Sequence, residues 1–263
     1  MKQNNFLNEE IFLLFKRYPL WINLAWKDIT SKYKRTFLGP FWISLAIIIF
    51  ISSISLVYSK LLSVDIHTYI PYLAFGIITW IFITSTVLES CGCFIDYGGY
   101  ITQIKVPYLA FIFRIVVRNN IIFLHNIPIA ILTIFIFDID FNFYSLLFFI
   151  FNLFILNLNL IWISILLSIV SLRFRDVQQF ISTMIQPIFF VTPVIWTANS
   201  IGNSRFIIDY NLFYYFVELI RGVFIPAENM EKIVLVSSIT GVVGLSISLY
   251  IFKKFHKKIS LWI

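Results

Sequence analysis

Charge is scarce in this 263-residue chain: 13% of its residues are Asp, Glu, Lys or Arg, where a soluble globular domain carries about 25%. Glycine and proline are sparse too, nine and eight in all, so little interrupts the apolar runs. With 60% hydrophobic residues and 30 phenylalanines, a soluble core of this size could not hide the apolar surface. The solvent around most of the chain must therefore be lipid. Cysteine is limited to Cys91 and Cys93. Thiols one residue apart rarely meet disulfide geometry, and no further Cys or neighbouring His completes a metal set. They read as small apolar residues.

Chemical signatures are also missing. No Gly-rich phosphate loop followed by Lys-Ser or Lys-Thr is present, so ATP is not expected to bind by that route. Gly-x-Ser-x-Gly, His-Glu-x-x-His and Cys-x-x-Cys are absent. The apolar stretches are nearly free of carboxylates, which ion-coupled transporters keep buried as coupling sites. The close acidic pair Asp138 and Asp140 falls in a short turn, where solvated capping is the ordinary task. No catalytic residue, metal or cofactor is expected in this chain, and energy for transport must come from elsewhere. The N-terminus carries Glu9 and Glu10 and no small-residue cleavage site, so it does not read as a secretory signal.

What is there is long and apolar. Six stretches, 38–58, 70–88, 115–137, 144–172, 177–196 and 233–252, are long enough to cross a bilayer, which takes about 20 residues. The expected fold is an all-α polytopic membrane protein: a cytoplasmic amphipathic segment, 1–37, then one six-span transmembrane domain, 38–263. His125, Asn126 and Pro128 interrupt the third stretch, and such polar groups are ordinarily satisfied by neighbouring helices. With both termini cytoplasmic, 16 of the 20 basic residues fall on the inner side, leaving Lys60, Arg205, Arg221 and Lys232 outside. The net charge of +7 describes this asymmetry and requires no nucleic acid.

Three pieces do not span. Before residue 38, Ile22, Trp26, Ile29, Tyr33 and Phe37 share one helical face, accompanied by Lys27, Lys32, Lys34 and Arg35. A basic amphipathic helix of this kind lies in the membrane interface, either as a plain anchor or framing an inlet for an anionic lipid. The cytoplasmic loop 89–114 contains Gly92, Gly98, Gly99 and the motif Ile104-Lys105-Val106-Pro107. In the outer segment 197–232, Leu212–Phe224 is helical in pattern but only 13 residues long, so it is expected to be re-entrant or interfacial, capped by Asn211. Its Glu218 and Arg221 are three apart and can pair. That pair either faces a pore or partner chain, or is a plain surface pair.

The run Trp26-Lys27-Asp28-Ile29-Thr30-Ser31-Lys32-Tyr33-Lys34-Arg35-Thr36-Phe37-Leu38-Gly39-Pro40-Phe41-Trp42 resembles the signature ahead of the first span in type-2 ABC exporter permeases of bacterial polysaccharides. Arg173-Phe174-Arg175-Asp176-Val177 resembles the turn between their fourth and fifth spans. Phe189-Phe190-Val191-Thr192-Pro193-Val194-Ile195-Trp196 is similar to the stretch ending the fifth. Asn211-Leu212-Phe213-Tyr214, with Glu218 and Arg221, resembles the outer re-entrant helix. The matches run in order over nearly the whole chain. There are departures: the usual asparagine-proline before the outer helix is Asn211-Leu212, and no aromatic precedes Pro107.

The resemblance implies an O-antigen, capsule or teichoic-acid exporter of the bacterial inner (plasma) membrane. Two permease chains would form the pore, and two ATP-binding cassette ATPase subunits would dock from the cytoplasm and bind the ATP. The substrate would be an undecaprenyl-diphosphate-linked glycan. Lys32, Lys34 and Arg35 would attract the diphosphate. Lys105 and Pro107 would engage the ATPase, while Arg173, Arg175 and Asp176 pin the turn beside it. Phe189, Phe190, Trp196, Phe213 and Tyr214 would line or gate the pore, since sugars stack on aromatic faces, unless they merely face lipid. Glu218 and Arg221 would hold the outer exit closed. Two alternatives stay open: the same architecture exporting a drug or small lipid, and a membrane-embedded glycan-lipid transferase or polymerase.

The charge asymmetry generates a topology test. In a chain without Cys91 and Cys93, Asn142→Cys and Gly202→Cys will react with an impermeant maleimide from outside, and Gln178→Cys will not. Outside labelling of Lys257→Cys would overturn the orientation.

Overall fold

The structure is a computed structural model that describes residues 5–263 apart from 35, 40, 62, 104–105, 199–205 and 228. Every regular element among the described residues is a helix. Among the described residues, five segments are long and apolar enough to cross a membrane: α3 (Phe41–Leu61), α4 (Ile66–Asp96), α6 and α7 taken together (Tyr108–Ile136), α8 (Phe143–Arg173) and α12 (Met230–Trp262). The chain is thus an all-α, multi-pass membrane protein.

Two expected stretches take a different form. The third breaks at Asn126 into α6 (Tyr108–His125) and α7 (Ile127–Ile136). Pro128, at the start of α7, has no N–H to continue the ladder. The Asn126 side chain at the break is met by a neighbour: Ser44 of α3 donates to its Oδ1 at 2.9 Å. The fifth stretch forms α9 (Asp176–Val191), 16 residues and about 24 Å long. It stops because Thr192 precedes Pro193, which pushes it to an extended conformation, ψ 132°. Residues 192–196 then run on without helical geometry.

Helix α4 is the central post, packed against α3, α6, α8 and α11 (Leu212–Phe224), whereas α9 buries no residue. Small polar residues let the spans approach. Ser90 donates to Ser164 at 2.7 Å between α4 and α8, and Asn120 and Asn157 exchange hydrogen bonds of 2.6 and 3.0 Å between α6 and α8. Between α8 and α12, Asn159 donates to Ser237 O at 2.9 Å, and a Cβ on Gly244 would stand 2.5 Å from the Trp162 ring. Such contacts replace a hydrophobic drive that lipid does not supply. Cys91 and Cys93 are free and buried.

The N-terminal helices α1 (Asn5–Lys16) and α2 (Tyr18–Tyr33) form a hairpin against α6. Trp21 donates to Leu14 O at 3.0 Å and meets the Phe113 ring edge-on at 5.8 Å. Glu10 of α1 is buried, with one carboxyl oxygen lacking a partner. Burial pushes its pKa up to about 7, against the Leu109 and Tyr108 backbone N–H groups of the first turn of α6, which pull it down. The folded chain therefore holds this proton more tightly than the unfolded chain does. The α1–α6 contact is strongest at acid pH and is lost as pH rises through about 7. Hydrogen exchange of α1, corrected for intrinsic rates, will accelerate as pH rises from about 4.5 to about 7 and level off above that, and Glu10→Gln will abolish the change. Equal protection of wild-type α1 across that range would refute this.

Candidate functional site

Three regions gather the residues with chemistry. Where α2 packs on α6, Asp28 of α2 receives Arg114 in a two-pronged contact, Nε to Oδ2 at 2.8 Å and Nη2 to Oδ1 at 2.5 Å. Arg118 reaches the same carboxylate at 3.3 Å and Glu89 of α4 at 2.5 Å, and Asn119 also donates to Glu89. Below Arg114 lies the Tyr97 ring, 4.2 Å from the guanidinium carbon. This network ties α2, α4 and α6 together. Removing one partner of such a mostly buried pair costs on the order of 3–5 kcal/mol.

Around it, the expected residues are placed unevenly. The face of α2 packed inward carries Trp21, Ala25 and Ile29, while Ile22 and Trp26 point outward. The expected apolar stripe thus divides, Ile29 turning to protein and the other two to the surroundings. Lys34 is exposed just after α2, and the Lys32 side chain and Arg35 lie outside the described residues. Ile104 and Lys105 also lie outside them, whereas Pro107 is buried at the start of α6. The expected loop contains a short helix, α5 (Gly98–Gln103), with Tyr100 exposed. A Cβ on Gly98 would stand 2.6 Å from Ile263 Cγ2, so the chain's last residue supports α5. Arg173 ends α8 with its guanidinium carbon 5.5 Å from the centre of the Trp262 ring, and Arg175 and Asp176 are exposed where α9 begins.

In the membrane interior, α3, α4 and α9 leave a groove of 460 Å³ lined by residues including Ile47, Phe50, Trp80, Ile185, Gln186 and Phe189. The Trp80 ring lies 5.4 Å from Phe189 and 5.8 Å from Phe213, joining two of the expected aromatics. Phe190 is exposed beside Phe189, and Trp196 donates to Phe190 O at 2.9 Å. Tyr214 lies apart from this wall, lining a smaller outer cavity with Asp209 and Lys232.

Where α9 ends, side chains hold the non-helical segment 192–196. Tyr69 donates to Ile195 O at 2.7 Å, and Tyr72 to Pro193 O and Trp196 O at 3.0 Å each. Arg221 of α11 donates to Pro193 O at 2.9 Å, bonds to Glu218, and stacks 3.7 Å from the centre of the Tyr72 ring. Asn211 donates to Thr192 Oγ1 at 2.9 Å while its Oδ1 caps α11, accepting from Phe213 and Tyr214 N–H. Gly76 makes room, since a Cβ there would stand 3.1 Å from Arg221 Nη1. Arg221 and Glu218 are 1% and 5% exposed, which excludes a surface pair.

Sequence reasoning passed over Asp28, Glu89, Arg114, Tyr69, Tyr72 and Trp80. The visible signals were an acid inside a basic helix, two arginines four apart opening one apolar span, and two tyrosines three apart near the start of another. Among the described residues, no group of three or more His, Cys, Asp or Glu side chains could hold a metal ion.

Comparison with known proteins covers these regions. The chain is similar to an O-antigen export system permease protein RfbA of Klebsiella pneumoniae, 22% identical over 253 residues, covering 90% of this chain and 92% of the relative. A second protein of that name and organism is 24% identical over 242 residues, with the same coverage. The protein of that name from Myxococcus xanthus is 22% identical over 191 residues, 73% of each chain. Residues 19–225, from the start of α2 to just beyond α11, match the family described as ABC-2 type transporter, and the chain belongs to that family.

Proposed function

We propose that this chain is the permease subunit of an ATP-driven exporter of O-antigen or a similar polysaccharide, carried on an undecaprenyl-diphosphate anchor across the bacterial inner membrane. The observation that carries this reading is the match along 90% of the chain to permeases named for O-antigen export. In this reading both termini are cytoplasmic, α9 with the 192–196 segment is the sixth crossing, and α11 is a re-entrant helix behind it. The amphipathic segment 1–37 precedes a transmembrane domain, 38–263. Two copies of the chain enclose the pore. The chain uses no cofactor of its own, because two partner ATPase subunits bind the ATP.

The geometry supports a division of labour. Lys32, Lys34 and Arg35 attract the diphosphate at the interfacial helix. Lys105 and Pro107, with α5, meet the ATPase, beside the turn of Arg173, Arg175 and Asp176. A push there passes into α6 through Pro107, and from α6 to α2 through the Asp28–Arg114 contact. Phe189, Phe190 and Phe213, with Trp80, offer ring faces to sugars along the groove, Trp196 stands near its outer end, and Tyr214 serves the exit from the separate cavity it lines with Asp209 and Lys232. Glu218 and Arg221 hold the exit closed by fixing residues 192–196 against α4.

Purified alone, the chain will not hydrolyse ATP; co-expressed with its ATPase, it will bring that subunit through purification. Lys105→Glu with Pro107→Ala will insert normally but weaken ATPase docking or uncouple hydrolysis from export. Retention of both docking and export would make the loop a plain connector.

The outer clamp has its own test. Tyr72→Phe removes two hydroxyl-to-carbonyl bonds without changing shape, and Arg221→Lys removes the fork that reaches both Glu218 and Pro193. At normal permease levels, each will cut export several-fold or leak small solutes. Wild-type export with a tight membrane in both variants would sink the gate.

A further inference from the structure

We propose that the outer half of the chain holds one phospholipid with an ammonium-bearing headgroup, its acyl chain seated between α7 and α8. The site lies on the face of α4 opposite the groove. There, a cavity of 200 Å³ is walled by α4, α6, α7, α8 and α11, with Phe75, Ile131, Leu146, Phe149 and Phe224 in its lining. Its two polar lining residues are already committed. Thr79 donates to Phe75 O at 2.8 Å, and Asn126 donates to Ile122 O at 3.1 Å and accepts from Ser44. A buried water needs two to four polar partners, and none is on offer, so hydrocarbon fills this space.

The dimensions and charge select the occupant. Ile131 and Leu146, on the facing sides of α7 and α8, are exposed, so the cavity opens toward lipid. Its lining extends from Asn126 at the helix break to Phe141 at the outer turn, alongside the ten residues of α7. That is about 15 Å, half of a hydrocarbon core of roughly 30 Å, the depth of one leaflet. A polyisoprenoid tail is longer than one leaflet and does not fit this depth. At the outer end a second cavity, of 370 Å³, shares Phe224 and is lined by His67, Thr68, Asp138 and Asp140 among others, with no Lys or Arg among the described residues of its lining. Carboxylates without a neighbouring cation accept an ammonium group by charge-assisted hydrogen bonds and repel an anionic head. Asp138 sits at positive φ (48°), in the turn that brings both carboxylates to this rim.

Occupancy would brace α11, because Phe224 walls both cavities and stacks on Phe75, ring centres 4.1 Å apart and planes 2° apart. The test uses the permease–ATPase complex in nanodiscs with diazirine-tailed phosphatidylethanolamine, diazirine-tailed phosphatidylglycerol, or undecaprenyl phosphate as competitor. Cross-links mapped by mass spectrometry should fall within residues 127–149, about fivefold stronger for the ethanolamine lipid, equivalent to about 1 kcal/mol. Asp138→Asn with Asp140→Asn should erase the headgroup preference. Ala130→Trp should fill the cavity and cut labelling there about tenfold, while α3 is labelled as before. Excess unlabelled phosphatidylethanolamine should compete in the wild type, which keeps the test decisive if a variant fails to accumulate. Equal labelling by both headgroups, competition by undecaprenyl phosphate instead, or labelling indifferent to Ala130→Trp would overturn the proposal.

Discussion

Backbone that leaves helical geometry inside a fold presents carbonyls that solvent does not reach, so neighbouring side chains must satisfy them. In this chain the demand falls on residues 192–196, where Pro193 ends α9 early. Three carbonyls there, of Pro193, Ile195 and Trp196, are met by Tyr69, Tyr72 and Arg221. The choice of donors explains much else. A guanidinium buried to 1% exposure needs a counter-charge, which Glu218 supplies one helical turn away, and a ring face, which Tyr72 supplies. It also needs space beside α4, which Gly76 leaves. Residues that look unrelated along the chain thus answer to one unsatisfied stretch of backbone.

The contact of α2 with α6 solves a different problem with the same chemistry. An interfacial helix held only by its apolar face is free to slide and roll among headgroups. Here Asp28 fixes the roll of α2, because its carboxylate takes both prongs of Arg114 and one contact from Arg118, and Arg118 is itself tied to Glu89. The same fixing turns Ile22 and Trp26 outward, so α2 presents apolar rings to the surroundings while its inner face is protein-bound. α6 therefore connects the loop before it to the helix at the membrane surface.

Runs of apolar residues told where most spans lie, because hydropathy is local, and the cap at Asn211 was legible because capping acts over three residues. The early end of α9 was signalled by Pro193, yet apolar residues continue to Trp196 and hydropathy does not register a lost helix. The Asp28–Arg114 pair is separated by 86 positions, and nothing local distinguishes it from a surface charge beside a positive-inside arginine. Glu218 and Arg221 could be paired by their spacing, but their burial depends on Tyr72, Gly76 and Pro193, which arrive from other elements. Trp80 escaped notice because one aromatic among so many carries no signal until the packing of α3, α4 and α9 is known.

Arg221 and Phe224 stand three residues apart on α11, one helical turn, so they move together when the helix moves. Arg221 holds the end of α9, and Phe224 closes the apolar cavity on the far side of α4. A rigid shift of α11 that frees Pro193 O must also unstack Phe224 from Phe75. Releasing Pro193 O therefore costs contacts on both faces of α4. Whatever fills the cavity beside Phe224 shifts the balance between the held and released positions of residues 192–196, in proportion to the difference in its affinity for the two.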